Sequence, residues 1–196
     1  MKFIAIDLEL DQPSNAIIQL GAVAFDTDAK RGVGGAFNVY VDPGTPVNWG
    51  HTLNIGITLE ELLPNNFRPA WESANIPTKE AMEKFWKWVK STGSGKKFIQ
   101  WGRGDHRILL EHSQGCGYPS HTKAFDLKMA YQFLWQPAAR LEKQSQLTSA
   151  CVQLGVRPPV PAHCAYEDAL ATGKLALHMF RQVQGVNSLL QGLGYE

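Results

Sequence analysis

The sequence predicts an α/β domain built on a mixed sheet of five strands flanked by helices. Three apolar, strand-like stretches lie close together near the start, joined by short turn-rich connections, which is the pattern of an antiparallel meander. Beyond residue 77, helical periodicity alternates with short apolar stretches, which adds parallel strands to the same sheet. Six Trp, nine Phe and five Tyr in 196 residues supply ample core for one domain, expected over residues 1–184, with 185–196 as a tail.

Residues 3–10 form the first predicted strand. The run Asp11-Gln12-Pro13-Ser14-Asn15 then turns the chain into a second strand over 17–26. A Gly-rich turn, 32–35, leads to a third over 36–42. The region 43–77 is looser. Within it Thr58-Leu59-Glu60-Glu61 has the spacing of a capping box and predicts a short helix. Over 77–90, Ala81, Phe85, Trp88 and Val89 recur at i, i+4, i+7 and i+8, one apolar helical face. A fourth strand follows at 96–101, a helix at 105–113, a short fifth strand at 122–125 and a helix at 127–134. A further helix over 145–154 ends at Gly155. After the Pro-rich link 157–161, the last long helix covers about 166–183.

The formal net charge of +1 excludes a strongly basic coat protein, but not an enzyme that grips nucleic acid locally or through metal ions. No stretch of about 18 apolar residues exists, so no membrane span is expected. The first ten residues carry Asp7 and Glu9, which a signal-peptide core would not tolerate. Three cysteines at unrelated spacings (Cys116, Cys151, Cys164) argue for reduced thiols and a cytoplasmic setting.

The chemistry lies in an acidic constellation. Asp7 and Glu9, at i and i+2 of a strand, share one face while Ile4, Ile6 and Leu8 face the other. Alone, they read as a solvated pair at a strand end. Asp105 follows the fourth strand through Gly102-Arg103-Gly104, at the edge where α/β folds place their sites; alone, it reads as a helix cap. His163 and Asp168 would lie roughly 140° apart on one helix. The prolines before His163 favour a loop there, so a loop-borne His can stand beside a carboxylate in the first helical turn. The competing reading is a surface His and an Asp that favours the helix N-terminus. Taken jointly, four carboxylates (Asp7, Glu9, Asp105, Asp168) suit two divalent cations with hard oxygen ligands, Mg²⁺ or Mn²⁺. A neutral His163 could accept the proton of an attacking water.

The order Asp-x-Glu in a first strand, a middle Asp and a final His-x-x-x-x-Asp resembles the DEDD-superfamily 3′→5′ exonucleases of the histidine subgroup (DEDDh, DnaQ-like). That group includes the polymerase proofreading subunit, ribonuclease T, oligoribonuclease and Trex-type nucleases. Ile17-Ile18-Gln19-Leu20-Gly21-Ala22-Val23 is similar to the family's second strand, Asn54-Ile55-Gly56-Ile57-Thr58 to its His-Gly-Ile-Thr-like segment, and Ala124-Phe125-Asp126-Leu127 to the segment after the middle motif. The resemblance implies a ribonuclease H-like fold, two metal ions and release of nucleoside 5′-monophosphates from 3′ ends. It implies metal-ligand roles for Asp7, Glu9, Asp105 and Asp168 and a general-base role for His163. It also makes Leu8, Leu10 and Ile57 expected contacts of the terminal nucleotide. Arg103 and Arg107, flanking Asp105, are expected phosphate contacts. Two motifs depart from the family pattern. Leu10-Asp11-Gln12 stands where Thr and Gly usually follow, and Trp101-Gly102-Arg103-Gly104-Asp105 replaces Asn-x-x-Phe-Asp.

The expected substrate is the 3′ end of single-stranded DNA. RNA ends or short oligoribonucleotides are the alternative, and a non-cleaving nucleic-acid-binding module is a third reading that the intact five-residue set disfavours. Lys79, Lys84, Lys87, Lys90, Lys96 and Lys97 cluster in sequence with Trp86 and Trp88; the choice is between a stacking surface for nucleic acid and an amphipathic helix with a solvated Lys face. His112, Cys116 and His121 lack a fourth ligand, so zinc is not expected. The tail, with Leu189, Leu190 and Leu193, is expected to pack on the domain, a homodimer contact being the alternative.

Overall fold

The computed structural model describes residues 1–28, 33–94, 97–116, 122–136 and 146–192. Six strands form one mixed sheet: β1 (Lys2–Asp11), β2 (Ala16–Asp26), β3 (Val33–Asp42), β4 (Ile76–Pro77), β5 (Lys97–Gln100) and β6 (Lys123–Asp126), in the spatial order β4-β3-β2-β1-β5-β6. The first three form the antiparallel meander, and β5 and β6 join parallel to β1. The helices are α1 (Leu59–Leu62), α2 (Phe67–Ala74), α3 (Thr78–Thr92), α4 (Asp105–His112), α5 (Leu127–Leu134), α6 (Leu147–Gln153) and α7 (Ala165–Gly192).

The sheet has six strands rather than five. The extra one, β4, is two residues long and pairs parallel with β3, too short for any alternation to show in the sequence. Helix α2 was hidden by Pro69, which is tolerated because it lies in the first helical turn, where an N–H has no partner to lose. Its Trp71 donates its indole N–H to Val41 O at 2.8 Å, and Phe67 closes a small core with Ile18, Leu59 and Leu63. Helix α7 continues past residue 183 to Gly192.

Strand alternation sorts the core into two layers. Ile4, Ile6 and Leu8 of β1 face α3, packing with Met82, Phe85 and Trp86. Phe3 and Ala5 face α7, packing with Ala169, Leu175 and Ala176. Asp7 and Glu9 continue this second row, so both carboxylates emerge under the start of α7. Small residues at Ala165, Ala169, Thr172 and Ala176 give α7 a flat face that lies close to the sheet. Trp86 is buried and donates to Ser113 Oγ, and Trp88 packs on Phe37 and Phe85, so these rings belong to the core under α3 rather than to a stacking surface; Lys96 lies outside the described residues.

Candidate active site

Three elements bring acidic residues to one end of the sheet, and a loop adds a histidine. Strand β1 supplies Asp7 and Glu9. The turn after β5 carries Asp105 as the first residue of α4. That turn is held by Gln100, which accepts from His106 N at 2.8 Å and donates to Gly102 O at 2.8 Å. The helix cap is Gly104, at φ 137°, a value that glycine tolerates. Asp105 is therefore not acting as the cap. Asp168 stands in the first turn of α7, and His163 stands on the loop before it.

His163 has φ 59°, in the left-handed region. Its backbone N–H donates to Asp168 Oδ2 at 3.0 Å, which ties the loop to the helix. One ligand atom each from Glu9, His163 and Asp168 lie within 4.8 Å of one another. These residues and Asp7 line a cleft of about 430 Å³. Its other walls are Trp101 just after β5, Lys128 in the first turn of α5, Gln146, Leu147 and Thr148 at the start of α6, and Ala162 beside His163.

The electrostatics are unfavourable without a cation. Burial raises Asp7 and Glu9 well above the usual carboxylate range, and neighbouring acidic charges push in the same direction. Burial, with the charge of Asp168, pushes Asp105 up to about 7. Asp168 rises to about 6, mainly through burial, against the hydrogen bond from His163 N that lowers it. Among the described residues no Lys or Arg forms an ion pair with any of the four. Four mutually close carboxylates with hard oxygen donors and no countercharge fit divalent cations such as Mg²⁺ or Mn²⁺. The His163 ring stands at the rim, open to solvent on one side, and partial desolvation lowers its pKa, which favours the neutral imidazole.

The expected substrate contacts separate into two groups. Leu8 lines the cleft, though most of its side chain is buried. Leu10 packs against the core on the α3 side, and Ile57 is exposed in the loop before α1; neither lines the cleft. Arg103 and Arg107 are strongly exposed beside the site, Arg103 near Asp126 and Arg107 paired with Glu111. The walls Lys128, Gln146 and Thr148 leave no trace in the sequence, because nothing in a linear sequence brings α5 and α6 to β1; Trp101 is carried there by β5. His121 and Leu193 lie outside the described residues, and His112 is engaged with Ile108 O at 3.0 Å.

No family model matches the chain, and no curated protein matches it. Solved structures do. The cell-death related nuclease CRN-4 superposes with a TM-score of 0.60 at 17% identity, over 92% of this chain and 64% of that one. A chain of the structure of the yeast NOT1 MIF4G domain co-crystallised with CAF1 gives 0.57 at 14% identity, over 93% of this chain and 79% of that one. The Neurospora crassa Pan2 catalytic unit, which has protease and nuclease domains, gives 0.54 at 20% identity, over 100% and 30%. The chain thus spans less than two thirds of the CRN-4 and Pan2 chains. At these identities the likeness establishes a fold of the ribonuclease H-like type.

Proposed function

We propose that this chain is a metal-dependent 3′→5′ exonuclease that removes nucleoside 5′-monophosphates from the 3′ ends of single-stranded DNA. The observation that carries this reading is the meeting of three carboxylates (Asp7, Glu9, Asp168) and one histidine in a single open cleft on this fold, with the Asp105 charge near enough to raise Asp7 and Glu9. The names of two structural neighbours, a nuclease and a unit with a nuclease domain, support it.

Asp7, Glu9, Asp105 and Asp168 would hold two Mg²⁺ or Mn²⁺ ions. Bound there, such ions supply charge neutralisation, activation of a water and stabilisation of the leaving 3′ oxygen. His163, neutral at pH 7, accepts the proton of the attacking water and passes it to solvent at the rim. Trp101 offers apolar surface to the terminal nucleotide, Leu8 meets it only with the small part left exposed at the cleft, and Lys128 offers a cation to the phosphate. Arg103 and Arg107, exposed beside the mouth, draw the backbone of the preceding nucleotides.

The test uses matched 5′-labelled DNA and RNA oligomers, with Mg²⁺ or with excess EDTA. The expected result is stepwise 3′ shortening of DNA that requires the metal. Undiminished cleavage in EDTA, or cutting at internal sites, would overturn the reading. Faster loss of the RNA oligomer would move the substrate to RNA ends and leave the chemistry in place.

A further inference from the structure

The start of α7 must be held against the sheet if His163 and Asp168 are to meet Asp7 and Glu9. The residue ahead of the helix, Cys164, carries no oxygen with which to cap it. The cap comes instead from β2. Ala165 N, the first amide of α7, donates to Gln19 Oε1 at 2.9 Å. The other end of that amide is fixed as well, since Gln19 Nε2 donates to Asn38 Oδ1 of β3 at 2.9 Å. Gln19 is fully buried in a strand that is otherwise apolar through Ala24, so its polarity has a cost that these bonds offset.

A second observation points to the same place. A Cβ on Gly21 would lie 2.1 Å from the carbonyl carbon of Ala165 and 2.3 Å from Tyr166 N. The helix start therefore rests directly on the β2 backbone. The ladder register sets Gly21 opposite Asp7 and Gln19 opposite Glu9. The two residues that receive α7 are thus the cross-strand partners of the two β1 carboxylates.

We propose that Gln19 is a positioning residue: with the bare Cα of Gly21, it seats the first turn of α7 and so sets His163 and Asp168 against Asp7 and Glu9. The inference rests on the metal-site reading above, and it makes the β2–β3 pair Gln19–Asn38 part of the site's support.

The test is Mn²⁺ binding to the full chain, followed by titration calorimetry, with nucleotide release measured alongside. Gln19→Met keeps the side-chain volume and loses the acceptor. It is expected to weaken Mn²⁺ binding roughly 10–100-fold and to lower kcat by a similar factor, with KM for the oligonucleotide little changed. Gln19→Glu keeps an acceptor for Ala165 N, and Asn38 can turn its amide to donate to the second oxygen, so Mn²⁺ affinity should be retained. A role in packing alone would leave Mn²⁺ affinity the same in both variants, and that result would overturn the proposal. Should Gln19→Met fail to fold, Asn38→Ala carries the test; it frees the Gln19 amide without touching the core, and unchanged Mn²⁺ affinity there overturns the proposal too. A wild-type chain that binds no Mn²⁺ would sink the metal site itself, whereas wild-type binding that ignores Gln19 would sink only the positioning role.

Discussion

His163 shows how one residue can be held against its own preference. A non-glycine residue at φ 59° costs on the order of 1–2 kcal/mol relative to an ordinary conformation. The side chain is exposed, so no packing of the ring repays that cost. What holds the backbone is the bond from His163 N to Asp168 Oδ2, and that bond does not involve the imidazole. His163→Gly should therefore relieve the strain and keep the bond. Its melting temperature is expected to be no lower than wild type, while nucleotide release falls about 10²–10⁴-fold, the usual contribution of a positioned base. A thermal melt and a single-turnover assay decide it, and a variant that kept its rate would remove His163 from the chemistry. The prolines before His163 made its loop legible from sequence. The left-handed φ was not legible, because it follows from the distance between the loop and Asp168 rather than from any local residue preference.

At the scale of elements, α7 touches the sheet at two glycines of different consequence. Gly21 lies under Ala165, and Gly173 lies over the Phe25 ring, where a Cβ would come within 1.9 Å of Cε2. Both positions are too tight for alanine, and each substitution should cost on the order of 1–3 kcal/mol through overpacking. Alanine's better helix propensity returns only about 1 kcal/mol at Gly173. The two should differ in function. Gly21→Ala displaces the turn that carries His163 and Asp168, so it is expected to lower both melting temperature and Mg²⁺ affinity. Gly173→Ala lies beyond Asp168 along the helix, against the hydrophobic layer, and should lower stability with a much smaller change in Mg²⁺ affinity. Denaturant melts paired with metal titrations check this, and equal Mg²⁺ affinities in wild type and Gly21→Ala would refute it. The sequence disclosed the elements whose cause is local. The Thr58 capping box is present, with Glu61 N donating to Thr58 Oγ1 at 3.2 Å and Glu61 Oε2 accepting from Thr58 N at 2.7 Å. The alternation in β1 likewise placed Asp7 and Glu9 on one face. The two-residue β4, and the cleft wall from Lys128 and Gln146, depend on tertiary pairing between distant segments and leave no periodic trace.

Across the whole molecule, a net charge of +1 hides a strongly polarised arrangement in which three of eighteen acidic residues line one cleft and a fourth, Asp105, acts on them through its charge. This sets a linkage between pH, metal and stability. A carboxyl whose folded pKa is raised binds its proton more tightly folded than unfolded. For such a group the penalty is absent below the unfolded pKa of about 4 and grows as pH rises toward the folded value. For Asp105 that window runs from about 4 up to about 7, and for Asp168 up to about 6. Each group costs about 1.4 kcal/mol per pH unit within its window. His106, lowered by burial, and His163, lowered by partial desolvation at the rim, act in the opposite sense, gaining stability as pH rises from their folded values up to the unfolded value of about 6.5. The acidic groups are more numerous, so they dominate between pH 4 and 6. In EDTA the melting temperature is therefore expected to fall over that interval, by roughly 2–4 °C per kcal/mol for a chain of this size. Saturating Mg²⁺ should remove most of the fall and add about 2.7 kcal/mol at a hundred times its dissociation constant. Asp105→Asn supplies the internal check. It abolishes one buried charge, so at pH 8 in EDTA the variant should melt above wild type, while at pH 4 the two should coincide. The same variant should lose Mg²⁺ affinity and nuclease activity. A wild-type melting temperature that is flat from pH 4 to 6 in EDTA, or an Asp105→Asn variant that melts below wild type at pH 8, would mean that the cleft carries no electrostatic stress for a metal to relieve.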